Sequence, residues 1–198
     1  MKKPIVDVSY WQHTIDWAKA SKEVDGAILR ATYTSQKSFA LDLDSTFVPN
    51  VKGASANGVK IGAYHYSQAV SVEEARKEAT YLCNRINAYK SKISLPVVCD
   101  WEFGGRLNAK KAKSLGKAKC TDIVLGFCAT VKSNGYTPMV YANYSTFTNY
   151  LDVERIRKSG CMIWLAQYAD RASMKYDLWQ YTSSGHINGI EGKVDLSK

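Results

Sequence analysis

Residues 95–102 read Leu-Pro-Val-Val-Cys-Asp-Trp-Glu, and this stretch decides the fold class of the chain. Its apolar first half is typical of a strand that is buried on both faces, as the strands of a parallel sheet are. Two acidic residues, Asp100 and Glu102, follow where the predicted strand ends. Because helices cover both faces of a parallel sheet, the segment indicates an α/β fold.

Outward from this strand, β-branched segments alternate with segments of helical spacing. The predicted strands are Pro4–Ser9, Gly26–Thr32, Val59–Tyr66, Leu95–Glu102, Pro138–Ala142, Met162–Ala166, Asp177–Tyr181 and a last strand that contains Asp195. The predicted helices are Thr14–Ser21, Thr46–Asn57, one that starts at Ser71 and one from about Lys119 to Ser133. This alternation indicates βαβ units, and about eight strands in roughly 200 residues fit a closed barrel better than an open sheet.

The predicted architecture is an abbreviated, irregular TIM-like barrel. A standard barrel of this type takes about 250 residues, so some outer helices near the C-terminus should be short or missing. The alternative is a doubly wound open sheet, whose G-x-G-x-x-G fingerprint is absent from the sequence. Because no linker, internal repeat or low-complexity segment is found, we expect residues 1–198 to form a single domain.

Composition excludes several classes of protein. Hydrophobic residues make up 45% and charged residues 23% of the chain, which argues against disordered, collagen-like and coiled-coil proteins. No apolar run approaches the roughly 20 residues of a spanning helix, so no membrane association is expected. The net charge of +9 indicates either an acidic partner, such as an anionic cell-wall polymer, or solvated surface lysines. Nucleic acid is not expected as a partner because no nucleic-acid-binding motif is present.

The five cysteines and three histidines predict neither a disulfide framework nor a metal site. The cysteine number is odd and no C-x-x-C pair occurs, so we interpret the cysteines as small buried residues of a chain made in a reducing cytoplasm. No metal or other cofactor is expected, and the protein should be a monomer. The basic start Met1-Lys2-Lys3 is not followed by the apolar stretch of a signal peptide. We therefore expect synthesis in the cytoplasm without a leader; the alternative is a secreted protein whose leader has been removed.

Acidic residues lie at the predicted strand ends, where barrels of this type place their chemistry. They are Asp7, Asp100, Glu102 and Asp195. Residues i and i+2 of a strand project to the same side with Cα atoms roughly 6–7 Å apart, so Asp100 and Glu102 should share one site. Like charges at that range and partial burial should keep one of the two protonated near neutral pH. An acid beside a carboxylate is the equipment for cleaving a glycosidic bond, although many D-x-E triplets are only solvated loop residues.

Aromatic residues indicate a saccharide substrate. The chain has 13 tyrosines and 5 tryptophans, and many fall near predicted strand ends. Sugar rings stack on aromatic rings, and their hydroxyl groups bond to side-chain amides. The candidate substrate-binding residues are Tyr33, Tyr64, Tyr141, Trp179, Gln12 and Gln180. The alternative is that such aromatic residues fill the core, which we expect for Trp17 and Trp164.

Taken together, these residues resemble glycoside hydrolase family 25, the muramidases that include lysozymes and many phage endolysins. The pieces that carry the resemblance run in family order over nearly the whole chain: Asp7–Gln12, Thr46–Asn50 with Gly58, Gly62–Tyr66, Leu95–Glu102, Val140–Tyr141, Trp164–Ala166, Trp179–Thr182 and Gly192–Asp195. Each piece is weak, and the ordered series is specific. The resemblance implies an irregular barrel of eight strands and about five helices.

The resemblance also implies an activity: hydrolysis of the β-1,4 bond between N-acetylmuramic acid and N-acetylglucosamine in peptidoglycan. Glu102 would be the general acid and Asp100 its partner, which steadies the reacting N-acetyl group. Asp7 and Asp195 would orient water and substrate. A leaderless muramidase is typical of a phage endolysin that is released at lysis.

The sequence departs from the family pattern at two positions. Trp101 stands where relatives commonly have Val, and Arg30 stands where many have Lys. Because side chains alternate along a strand, Trp101 should point away from the two carboxyl groups and leave the pair intact. The role of Arg30 stays open, and we do not count it among the site residues.

The reaction course has two alternatives. The acetamido group of the substrate can act as internal nucleophile, which gives retention, or a water activated by Asp7 or Asp195 can attack directly, which gives inversion. We favour retention. Two other functions are a non-catalytic wall-binding lectin, against which the four acids argue, and a chitinase-like enzyme, whose fuller D-x-x-D-x-D-x-E series is lacking ahead of Glu102.

Overall fold

The structure is a computed structural model that describes residues 3–198, so Met1 and Lys2 of the basic start lie outside the described residues. The strands are β1 (Ile5–Val8), β2 (Gly26–Thr34), β3 (Leu41–Leu43), β4 (Lys60–Tyr66), β5 (Ile93–Asp100), β6 (Pro138–Asn143), β7 (Met162–Ala166), β8 (Leu178–Gly185) and β9 (Val194–Ser197). The α-helices are α1 (Trp17–Ala20), α2 (Phe47–Ala56), α3 (Val72–Ile86), α4 (Ala109–Leu115), α5 (Lys117–Ser133), α6 (Tyr144–Tyr150) and α7 (Val153–Lys158). Two 3₁₀-helices, Tyr10–Gln12 and Asn87–Lys92, complete the elements.

The strands form a closed barrel, which confirms the predicted α/β barrel class. The sheet order is β1-β9-β8-β7-β6-β5-β4-β2-β3, and pairing of β1 with β2 closes eight strands into a ring. The short β3 adds to the outside of this ring by pairing with β2. Residues 3–198 contain seven α-helices rather than about five, because α1, α4, α6 and α7 are short elements of four to seven residues.

The C-terminal part is abbreviated as expected, but not all its strands are parallel. The chain passes from β8 to β9 through residues 186–193 without an α-helix. Because such a short connection cannot carry the chain back across the barrel, β9 runs antiparallel to both β8 and β1. The start of β9 therefore lies beside the end of β1, and Asp195 pairs in register with Asp7.

Two apolar layers hold the barrel. The interior is filled by Ile28, Val98, Met139, Trp164 and Leu178. A larger layer between the barrel and its helices contains Trp17 and all five cysteines, which are buried as free thiols. Both predicted core tryptophans, Trp17 and Trp164, are thus buried. Between residues 3 and 198, no helix has the length and apolar character needed to cross a bilayer.

A buried polar cluster fixes α3 against the barrel. Ser71 begins this helix as predicted, and its hydroxyl accepts from the Glu74 amide. On the buried face, the Glu78 carboxylate accepts from Thr34 Oγ1 at 2.6 Å, from Ser67 Oγ and from the Gln68 amide at 3.0 Å. These donors belong to β2 and to the segment after β4, so one carboxylate joins three parts of the fold. Burial by itself would raise the pKa of Glu78, but the hydrogen bonds and the neighbouring His65 hold it below the ordinary value.

Candidate active site

A cleft of about 520 Å³ opens at the end of the barrel where the parallel strands finish. A smaller recess of about 90 Å³ adjoins it. The recess is lined by Asp7, Tyr64, Asp100, Glu102, Tyr141, Trp164 and Asp195. All four sequence-predicted acids line both the cleft and the recess, so the fold brings them together.

The alternation of side chains along β5 positions the central pair. Asp100 is the last residue of the strand, and Glu102 follows two residues later. Trp101 lies between them, is 0% exposed and packs edge-on against Phe103. The indole therefore points into the layer under the helices, as the sequence predicts, and the two carboxyl groups face the cleft.

Burial raises the pKa of all four carboxyl groups, and repulsion by neighbouring acids raises it further for Asp7, Asp100 and Glu102. Burial comes first for Asp100, whose pKa lies well above the ordinary value, and the charges of Glu102 and Asp7 raise it further. Burial likewise raises the pKa of Asp7 well above its ordinary value, with the charge of Asp195 as the next cause. For Glu102 and for Asp195 itself, burial is again the main cause of the raised pKa. The site therefore disfavours the ionised form of these carboxyl groups more than water does.

The expectation that Glu102 alone keeps a proton was too narrow. Asp7 and Asp100 are more strongly desolvated and carry the larger upward shifts in pKa. The reason is that Asp7 lies within β1 and Asp100 ends β5, both in the barrel wall, whereas Glu102 stands beyond the strand end. Glu102 lines both the cleft and the recess, so it can reach a bound molecule.

Gln180 of β8 connects the carboxyl groups to two tyrosines. Its Nε2 donates to Asp7 Oδ2 at 3.0 Å and to Asp195 Oδ2 at 3.3 Å. Its Oε1 accepts from the hydroxyl groups of Tyr141 at 3.0 Å and Tyr168 at 2.9 Å. The amide thus fixes the separation of the two carboxyl groups and fills its own hydrogen-bonding capacity.

Two buried polar atoms beside the recess lack a partner within residues 3–198. They are Asp100 Oδ1 and a terminal guanidinium nitrogen of Arg30. Buried polar groups are almost always hydrogen-bonded, so an unpaired acceptor and an unpaired donor at one cleft mark places where a bound molecule can supply the partner.

Arg30 lines the cleft, although the sequence reasoning did not count it among the site residues, and the buried Asp44 holds it in place. Arg30 Nε donates to Asp44 Oδ2 at 2.7 Å, and the guanidinium lies over the rings of Tyr10 and Tyr33 at 4.8 and 5.1 Å. Asp44 also accepts from the Tyr10 amide at 3.1 Å, which fixes the segment after β1. The signal was the period of two along β2, since Arg30 follows the inward-facing Ile28 on the same side of the strand.

The predicted substrate-binding residues divide into two groups. Tyr33, Tyr64 and Gln12 line the cleft, and Tyr141 lines the recess. Gln180 lies directly behind the acids, as its hydrogen bonds show. Trp179, by contrast, points to the other side of β8, is buried in the outer apolar layer and donates to the Gln167 carbonyl at 2.7 Å. The structure therefore does not place Trp179 at the cleft.

Trp11 is a further cleft residue that the sequence reasoning did not single out. It is 65% exposed and packs against Tyr10 with ring centroids 4.3 Å apart. The short turn that carries it is closed by Ser9 and Gln12, since Gln12 Oε1 accepts from the Ser9 amide at 2.9 Å. An exposed indole on a fixed turn offers a stacking surface at the mouth of the cleft.

The loop after β5 is held from below by Gln68. The side-chain Oε1 of Gln68 accepts from the Leu107 amide at 3.2 Å, and its backbone carbonyl accepts from Arg106 at 3.3 Å. Gly105 adopts a positive φ of 56°, and an added Cβ there would lie 2.8 Å from Gln36. Since Glu102 begins this loop, these contacts determine where its carboxyl group stands.

Comparison with known proteins shows the family. The model of the glycosyl hydrolases family 25 matches residues 6–190. The protein YegX of Escherichia coli K12 is 27% identical over 97% of this chain and 67% of its own length. An autolytic lysozyme of Clostridium acetobutylicum is 26% identical over 98% of this chain and 54% of its own length.

A solved structure gives the same fold. The modular autolysin LytC from Streptococcus pneumoniae superposes with a TM-score of 0.83 and 28% identity, covering 98% of this chain. This chain spans 46% of that protein, which has also been solved in complex with a synthetic peptidoglycan ligand. A family match over nearly the whole described fold, at a cleft that carries the four acids, leads to one conclusion: the chain belongs to the glycosyl hydrolases family 25.

Proposed function

We propose that this chain is a muramidase that hydrolyses the β-1,4 bond between N-acetylmuramic acid and N-acetylglucosamine in peptidoglycan, and that residues 1–198 form its single catalytic domain. The observation that carries the proposal is the convergence of Asp7, Asp100, Glu102 and Asp195 on one recess. The lysozyme and autolysin relatives support the same substrate. Proposed partners are the glycan strands of the wall, and the proposed site of action is the cell wall after synthesis in the cytoplasm.

In the proposed reaction, Glu102 is the general acid. Its proton goes to the glycosidic oxygen while the acetamido oxygen of the muramic acid attacks the anomeric carbon and the bond to the leaving sugar breaks. Asp100 Oδ1, which has no hydrogen-bond partner among the described residues, accepts from the acetamido N–H and stabilises the positive charge that develops there. Water then opens the ring intermediate, and the Glu102 carboxylate takes back a proton from it.

Gln180 and the aromatic residues of the cleft position the acids and the substrate for this reaction. Gln180 holds Asp7 and Asp195 side by side, where they orient the water and the substrate. The stacked Tyr10 and Trp11, with Tyr33 behind Arg30, provide flat surfaces for the apolar faces of neighbouring sugars.

The test is replacement of the acid. Glu102→Gln keeps the shape of the side chain but removes the acidic proton. Because general acid catalysis usually contributes a factor of this order, we expect the rate of turbidity loss of cell walls to fall by at least about a thousandfold. Glu154→Gln, at an exposed position of α7, is the matched control and should leave lysis unchanged. Unchanged lysis by Glu102→Gln would refute the role of Glu102.

Product analysis tests bond and stereochemistry. Mass spectrometry of digested peptidoglycan should find muramic acid at the new reducing ends; glucosamine ends would instead make the enzyme a glucosaminidase. Proton NMR of the fresh product should show the β-anomer first, as expected for retention, and a first-formed α-anomer would favour direct attack by water. Wall binding without any hydrolysis would point to a lectin.

A further inference from the structure

The positive charge of the chain is concentrated in one short segment. Residues 106–119 contain six basic residues and no acidic residue. Since these are six of the 27 basic residues and none of the 18 acidic ones, the rest of the chain has a net charge of only +3. The segment comprises the end of the loop after Glu102, the helix α4 and the first turn of α5.

Five of these side chains are exposed cations without an acidic partner. Arg106 forms an ion pair with Glu74 at 2.9 Å. Lys110, Lys111, Lys113, Lys117 and Lys119 are all exposed, and none of them takes part in an ion pair among residues 3–198. We call these five residues the lysine patch.

The lysine patch lies at the same end of the barrel as the cleft. The helix α4 begins seven residues after Glu102, so it cannot be far from the strand end that carries the acid. The helix α5 leads back to the opposite end, because the strand that follows it, β6, starts beside Val97 and runs parallel to β5. The first turn of α5, with Lys117 and Lys119, therefore stands at the cleft end.

Four lysines of the patch lie at positions where their charge destabilises the helix. Lys110 and Lys111 are in the first turn of α4, and Lys117 and Lys119 are in the first turn of α5. Positive charges are unfavourable at a helix N-terminus, where the helix dipole is positive. Two other helices follow the rule, since α3 has Glu73 and Glu74 and α7 has Glu154 in the first turn. A concentration of like charges in unfavourable positions indicates selection for something other than stability.

We propose that the lysine patch binds a linear polyphosphodiester of the cell wall and holds it beside the catalytic cleft. Several cations in a row, with no competing carboxylate, match a flexible chain of regularly spaced phosphates better than an isolated anion. Binding there would keep the cleft at the wall surface between successive cleavages. The identification of the polyanion as a wall polymer rests on the proposed function. The affinity of the lysine patch for polyanions rests only on its charge.

The test uses two variants with the same change in charge. The patch variant replaces all five lysines of the patch by Gln. The control variant carries Lys→Gln at five exposed positions elsewhere, toward the other end of the barrel: Lys22, Lys52, Lys60, Lys92 and Lys132. Both are made in the Glu102→Gln background for binding, so that the walls are not digested, and with intact Glu102 for activity.

Binding is measured with soluble poly(glycerol phosphate) and with purified Gram-positive walls before and after hydrofluoric acid removes their phosphodiester polymers. We expect the patch variant to bind the polymer and the intact walls at least about tenfold more weakly than the control variant. The affinity of the control variant should also decrease more steeply with salt concentration. On stripped walls the two should bind alike. Equal binding of both variants to intact walls, or an equal difference on stripped walls, would overturn the proposal.

Further measurements distinguish polymer binding by the lysine patch from the proposed muramidase activity and from binding of nucleic acid. With Glu102 intact, the patch variant should hydrolyse soluble peptidoglycan fragments at the control rate; if neither variant hydrolyses anything, the proposed function fails while polymer binding still stands. The patch variant should also unfold at a higher temperature than the control, and a lower one would contradict the argument from helix charge. Tighter binding to duplex DNA than to poly(glycerol phosphate) at equal salt would identify nucleic acid as the partner and refute the wall polymer.

Discussion

At the scale of single residues, Asp100 of the site lowers the stability of the folded protein when it is ionised. Asp100 is buried, its Oδ1 has no hydrogen-bond partner within residues 3–198, and its neighbours Glu102 and Asp7 are acids. Each of these features disfavours a charged carboxylate, so the folded state binds a proton that the unfolded chain would release. Only a bound substrate can turn the unpaired acceptor into a favourable contact.

The first prediction concerns Asp100→Asn and pH. Because the pKa of Asp100 is raised above its ordinary value of 3.8, the stability from its protonated form is complete below that pH and is lost as the pH rises through the raised pKa. Asn stays neutral throughout. The variant should therefore unfold a few degrees higher than the parent at pH 7, since about 1 kcal/mol corresponds to roughly 2–4 °C in a chain of this size.

The same variant should lose lysis and lose its stability advantage in acid. Thermal unfolding at pH 3.5 and pH 7 measures the difference, with Asp170→Asn at an exposed position as control. A lower unfolding temperature than the parent at pH 7 would show that ionised Asp100 is well stabilised in the free protein, against the present account.

At the scale of elements, the loop after β5 depends on the segment after β4. Gln68 does not line the cleft, yet its Oε1 accepts from Leu107 inside the loop that Glu102 begins. The backbone amide of Gln68 in turn donates to the buried Glu78 of α3. The position of the proposed acid is thus set by a helix on the outside of the barrel.

The second prediction follows for Gln68→Met. The substitution keeps the volume and removes the acceptor, which leaves the Leu107 amide unpaired at a cost of about 1–3 kcal/mol. Displacement of the loop should lower kcat by about tenfold with little change in KM, because the cleft that binds the substrate is unchanged. Initial rates on soluble peptidoglycan fragments measure both constants.

Gln167→Met is the matched control. Gln167 also accepts from a backbone amide, that of Ser173 at 2.9 Å, in a loop outside the cleft. It should keep its kcat and lose less stability than Gln68→Met, because this hydrogen bond is exposed and water can replace the lost acceptor. A fall in kcat of the same size in both variants would mean that general destabilisation, and not the position of the loop after β5, limits the reaction.

At the scale of the whole molecule, the ring of strands has to close before the site exists. Asp7 and Asp195 come from opposite ends of the chain and meet only because β1 pairs with β9. The apolar layer outside the ring contains the five buried thiols, which are spread over α3, α5, β5 and the start of β7. The rate at which these thiols react with a reagent therefore measures how often the barrel opens.

The third prediction concerns thiol labelling. Burial raises the pKa of Cys83 to about 11 and that of Cys99 well above the ordinary range, so these thiols should react only when the chain unfolds. Cys161 differs, because hydrogen bonds from Cys128 and Ser159 lower its pKa to about 7. We expect one thiol, Cys161, to react in the native protein, and the other four at the rate of global unfolding.

Mass spectrometry after timed labelling with a thiol reagent identifies the modified positions, and Cys161→Ser should remove the early product. Early labelling of two or more positions in the native protein would indicate that the outer layer opens locally without unfolding of the ring.

Several features of the molecule were determined by its sequence alone. The apolar run before Asp100 and the alternation of strands and helices predicted the barrel, because local periodicity reports which faces are buried. The period of two placed Asp100 and Glu102 on one side and Trp101 on the other, and both follow from the geometry within one strand. The ordered series of motifs predicted the family, which the match over residues 6–190 confirms.

Other features were decided only by the tertiary structure. The direction of β9, the meeting of Asp7 with Asp195 and the pairing of Arg30 with Asp44 depend on register between strands and on closure of the ring. Trp179 and Gln180 were both predicted to reach the substrate, but neighbours on one strand face opposite sides, and only the barrel shows which side is inner. The physical reason is the same in each case: local sequence fixes relations along one strand, whereas contacts between strands distant in sequence are fixed by the packing of the whole chain.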